Sequence, residues 1–75
     1  MADERVRVEI AFDGGQVLAA LVDPHVALEL EHVLDRGGDG AFTLEADDGL
    51  YTVALAKVVY VKRFIRESRV GFTPA

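Results

Sequence analysis

Two stretches of strict apolar–polar alternation, each running into an Asp-Gly type turn, stand on either side of one strong helix-start signal, and this arrangement most constrains the fold. Arg5–Phe12 places Val6, Val8, Ile10 and Phe12 on one side and Arg5, Arg7, Glu9 and Ala11 on the other. A period of two with β-branched residues predicts a half-buried strand. Asp13-Gly14-Gly15 follows, and glycine supplies the positive φ that a tight hairpin needs. Gln16–Val22 is the return strand, apolar on both sides, so its faces are left unassigned. Ala41–Ala46 alternates again, with Phe42, Leu44 and Ala46 on one face. Asp47-Asp48-Gly49 is the second turn, and Leu50–Leu55 returns with Tyr51, Val53 and Leu55 on one face. Asp13, Gly15, Ala20 and Leu21 recur at the same spacing as Asp47, Gly49, Ala54 and Leu55. Shared hairpin chemistry accounts for this echo as well as duplication does.

Between the hairpins, Asp23-Pro24 predicts a helix start: Asp can satisfy orphan N–H groups, and Pro at the first helical position forfeits no hydrogen bond. Val26, Leu30, Val33 and Leu34 fall on one stripe, and Gly37-Gly38 after Arg36 suits a left-handed C-terminal position. The helix is expected over Pro24–Arg36, with Gly37–Gly40 as its exit loop. Ala54–Lys57 reads as a short turn, Val58–Ile65 as a fifth strand and Ser68–Ala75 as a tail. The order ββαβββ predicts a small α+β domain, an antiparallel sheet with one helix packed on one face; a small, partly open β-barrel is the alternative. Residues 1–75 form one domain, with 1–4 and 73–75 expected as flexible ends.

Composition bears on how such a domain lives. Of 75 residues, 51% are hydrophobic, yet a chain this short buries only roughly 60% of its unfolded surface. The apolar excess must lie outside, where a second copy is the usual cover; a homo-oligomer, most simply a dimer, is expected. There is no Cys, which excludes disulfides and thiolate metal sites. The longest apolar run, Val17–Val22, is far short of the ~20 residues that span a bilayer. The acidic start Met-Ala-Asp-Glu lacks a secretory pattern. A soluble, cytoplasmic protein without membrane contact is the expectation.

Chemistry is sparse. His25, Glu29 and His32 share one side of the predicted helix, but the histidines lie seven positions apart, about 10.5 Å along the axis, too far for one ion on one helix. The only serine, Ser68, has no base nearby in sequence, and no Gly-rich stretch carries a phosphate-loop Lys-Ser/Thr. The chain is read as no enzyme, with no cofactor implied. Charge is the remaining signal. Net charge is −5, but residues 1–56 hold twelve acidic and three basic side chains, a balance of −9, whereas 57–75 hold one and five, a balance of +4. Lys62, Arg63, Arg66 and Arg69, interleaved with Tyr60 and Phe64, form a candidate anion or partner surface. In an extended strand Lys62, Phe64 and Arg66 share one face and Arg63 and Ile65 the other. Pairing of this segment with the acidic remainder is favoured over nucleic-acid binding, because a nucleic-acid binder is usually basic as a whole domain.

Val8-Glu9-Ile10, Leu44 through Gly49, Tyr60-Val61 and Arg69-Val70-Gly71-Phe72 together resemble a family of short actinobacterial proteins of unknown function. Where that family has Glu-Ile-Gly after Tyr-Val, this chain has Lys62-Arg63-Phe64. The resemblance implies no activity; it implies that Arg69–Phe72 is an ordered closing segment. The sequence thus points to a non-catalytic, self-associating protein-interaction module, with nucleic-acid or anion binding as the alternative.

Overall fold

The computed structural model describes residues 4–65. Strands β1 (Val6–Phe12) and β2 (Val17–Val22) form the first hairpin, α1 (Pro24–Asp35) follows, and β3 (Ala41–Ala46) and β4 (Gly49–Ala54) form the second hairpin. A 3-10 turn, Leu55–Lys57, leads into β5 (Val58–Arg63). All pairings are antiparallel in one sheet of order β4-β3-β2-β1-β5. The sheet is open, with β4 and β5 at opposite edges, so the barrel alternative is corrected to a one-helix α+β fold. The final strand stops at Arg63, short of the expected Ile65; one further bond, Phe64 N–H to Arg7 O at 3.0 Å, prolongs its pairing with β1. Arg66, Arg69, the closing segment Arg69–Phe72 and the tail Ser68–Ala75 lie outside the described residues, as do 1–3.

The two hairpins are not equivalent. The first turns through Asp13–Gln16, with Gly14 and Gly15 at φ 102° and 93°. There Phe12 N–H donates to Gln16 O at 2.8 Å and Gly15 N–H to Phe12 O at 3.0 Å. The second closes on the pair Ala46↔Gly49 around Asp47–Asp48 alone. A change in loop length that shifts the phase by one residue sends every following side chain to the other face. Ala20 is buried and its echo Ala54 is not, while Leu55 is buried and its echo Leu21 is exposed. The repeated residues therefore do different work, and the unassigned strand β2 resolves with Ala20 and Val22 inward.

Asp23 caps α1 by accepting the His25 N–H at Oδ1, 3.0 Å away. The helix ends one residue before expectation, with Arg36 as its C-cap. Gly37 at φ 72° then turns the chain, and Gly38 N–H donates to Val33 O at 2.8 Å. Ala27 and Leu30 are the helix residues fully buried, with Val26, Val33 and Leu34 packed at the margin. Ala27 was outside the predicted stripe; its small side chain lets the helix lie close to the sheet. Val8, Ile10, Val22, Leu30 and Leu44 are the largest fully buried side chains, each worth roughly 1.5–3 kcal/mol of burial. Among the described residues, no helix is long and apolar enough to cross a membrane.

Candidate functional site

One helix covers one side of a five-stranded sheet, so the other side is the candidate surface. Register decides its make-up, because residues directly paired across strands point the same way. Arg7, Glu9 and Ala11 of β1 pair with Leu21, Ala19 and Val17 of β2, and all point away from the helix. On the far half, Thr43 and Thr52 pair, their hydroxyls 3.1 Å apart, and Glu45 stands opposite Leu50. Exposed apolar side chains on this side are Leu50 (70%), Val17 (56%), Tyr60 (48%) and Leu21 (41%).

The basic segment divides as alternation predicts. Lys62 pairs with Glu9 and Tyr60 with Ala11 on the uncovered side. Lys62 Nζ lies 4.5 Å from the centroid of the Phe64 ring. Arg7 Cζ lies 5.0 Å from the same centroid. Arg7 was missed in the sequence: it faces outward on β1, but only the β1–β5 pairing brings it to Phe64, and no local pattern encodes that pairing. Arg63, paired with Val8, points to the helix side instead. Its guanidinium grips Glu31 of α1, Nε to Oε2 at 2.8 Å and Nη2 to Oε1 at 3.2 Å. The two side chains remain 46% and 34% exposed, so this bridge is worth less than ~1 kcal/mol.

The Tyr60 hydroxyl donates to Glu9 Oε2 at 2.7 Å. That hydrogen bond, then the Glu9 charge, raises the tyrosine pKa above its ordinary value. Tyr51 repeats the arrangement at the opposite edge, donating to Asp48 Oδ2 at 2.8 Å, and its pKa is raised chiefly by that bond. Of the two basic side chains of β5, Arg63 holds Glu31, while Lys62 is the register partner of Glu9 and lies over Phe64.

His25, Glu29 and His32 do share a hollow on the outer side of α1, together with Leu28 and Arg36. No three His, Asp or Glu side chains among the described residues are placed to hold a metal ion. Comparison with known protein families, with curated proteins and with solved structures returns no match. The likeness to short actinobacterial proteins therefore rests on its short motifs alone.

Proposed function

We propose that this chain is a non-catalytic assembly module that self-associates and offers the uncovered side of its sheet to a protein partner. The observation that supports this reading is one-sided coverage: α1 packs on β1 and β3 from one side, while Val17, Leu21, Leu50 and Tyr60 stand exposed on the other. Strand spacing and rise give that side roughly 24 by 20 Å, so covering it with a partner buries an area on the order of the ~1,000 Å² a specific interface needs. The charges on it are of both signs, with Arg7 and Lys62 against Phe64 and Glu9 paired in register with Lys62. The test is mass by light scattering at micromolar concentration. A discrete species at twice the 8.2 kDa chain is expected, and a strict monomer throughout removes self-association from the reading.

One observation favours a second reading. Phe64 with Arg7 and Lys62 against its ring combines an aromatic platform with two cations, the elements that hold single-stranded nucleic acid. Glu9 beside them opposes an anion, which places this reading second. A labelled oligonucleotide should be retained at low salt, more weakly as salt rises, and should lose binding on Phe64→Ala. No retention at low salt ends it.

A further inference from the structure

The two edges of the sheet are built differently. At β5 the edge carries Lys62 and Arg63. Its pairing with β1 also skips a residue, since Ala11 pairs with Tyr60 and Phe12 with Val58, leaving Val59 as a bulge. Basic side chains and bulges are devices that keep one sheet edge from pairing with another. At β4 the sequence Gly49-Leu50-Tyr51-Thr52-Val53-Ala54 has no charge, no Pro and no bulge along its pairing with β3. Its backbone phase is also defined. Leu55 N–H donates to Gly40 O at 2.9 Å, in register with the β3–β4 pairs. Odd positions of β4 therefore bond to β3, and Leu50, Thr52 and Ala54 direct their N–H and C=O groups away from the sheet. Among the described residues nothing pairs with them.

We propose that two copies of this chain join through β4, antiparallel, about a two-fold axis at Thr52; this rests on the self-association reading and says where the copies meet. Thr52 then pairs with Thr52 of the second copy, and Leu50 with Ala54, which uses all three outward-directed residues of each strand. Same-face pairing sets Leu50, the most exposed of the uncovered-side apolar residues, against Ala54, and Tyr51 against Val53 on the helix side. No charge meets a like charge within the paired strands, because β4 itself carries none. A register centred on Tyr51 would leave Ala54 without an outward partner in β4. Because the contact is isologous and β5 is guarded, assembly closes at two copies and does not continue into a fibre.

Hydrogen exchange resolved by residue, run across a dilution series, tests this directly. Protection at the Leu50, Thr52 and Ala54 amides should rise with concentration in step with the dimer, while Tyr51 and Val53 stay protected throughout. Thr52→Pro removes the central outward N–H and leaves the backbone bonds to β3 in place, at the loss of the exposed Thr43 hydroxyl contact, and Pro is tolerated on such an edge. It should keep the far-UV dichroism of a folded chain and weaken dimerisation on the order of tenfold or more. A dimer whose Leu50, Thr52 and Ala54 amides exchange freely overturns the edge contact and leaves self-association standing, as does a dimer dissociated by Val17→Lys but not by Thr52→Pro. Protection of these amides that does not vary with concentration also overturns it, and a monomer at every concentration overturns both readings.

Discussion

Gly38 is fixed by one contact. A Cβ there would lie 2.6 Å from Val33 O, the same backbone oxygen its amide bonds. Backbone cannot give way as a side-chain tip can, so Gly38→Ala should cost about 2 kcal/mol. Gly37 is different: its φ is 72° with open space around it, and Asn also adopts that conformation, so Gly37→Asn should cost only a few tenths of a kcal/mol, roughly as Asn replaces Gly at other left-handed caps. Thermal melts separate the two, since each kcal/mol moves the midpoint by roughly 4–8 °C in a domain of this size. Equal midpoints would show that the close approach at Gly38 is not limiting. The sequence pointed to a Gly-Gly stop but not to which glycine was irreplaceable, because that depends on where Val33 O comes to lie. The partners of Tyr60 were equally hidden, since Glu9 is 51 positions away. The raised Tyr60 pKa has a defined sign. The folded chain holds the phenol proton more tightly than the unfolded one, so this bond contributes stability below the unfolded value near 10.0. That contribution is lost as pH rises through the folded value. Glu9→Gln should return one tyrosinate absorbance step towards the ordinary range, and Asp48→Asn the other. If either variant moves both steps, the two tyrosines are not independently held.

At the scale of elements, local chemistry was legible and pairing was not. Asp23-Pro24 and Gly37-Gly38 marked the helix to within a residue of its observed end, because caps are local backbone chemistry. The strands were found where one face is buried and the other wet. In β2 alternation failed: Leu18, Ala20 and Val22 differ little in polarity from Val17, Ala19 and Leu21, so only the length of the preceding loop sets its phase. The split of Lys62 from Arg63 was legible from alternation, whereas the destination of each side chain needed the strand order. The helix cap can be weighed against the helix–strand bridge. Asp23→Ala leaves the His25 N–H without its acceptor and should cost about 1 kcal/mol. Glu31→Gln, at an exposed pair, should cost less than that, and its effect should shrink with added salt. Urea titrations of both variants in low and high salt make the comparison; a salt-insensitive loss at Glu31 exceeding that at Asp23 would mean the bridge is more shielded than its exposure indicates.

For the whole molecule, the weak place is the middle of the sheet. β1 is ladder-paired along most of its length to both β2 and β5, and β3 likewise to β4. Between β2 and β3 there is one register pair, Val22↔Ala46, with Asp47 N–H donating to Leu21 O at 3.0 Å beside it. The sheet is thus two ladders meeting at a short seam, and the backbone there can transmit little cooperativity. What spans the seam is α1, which contacts β1 on one side and β3 on the other and buries Leu30 within the shared core. A domain of this size has a total stability of roughly 4–11 kcal/mol, and Leu30→Ala should remove about 2–5 kcal/mol of it by leaving a cavity. The loss should also be uneven. A two-stranded ladder is marginal without packing on its face, so β3–β4 depends on the helix more than the three-stranded half does. Native-state hydrogen exchange of the unsubstituted chain should show both ladders opening with one common free energy. In Leu30→Ala, the β3-bonded amides of Tyr51 and Val53 should open well before those joining β1 to β2. Equal loss of protection in both ladders would mean that the seam itself, and not the helix lying across it, holds the halves together.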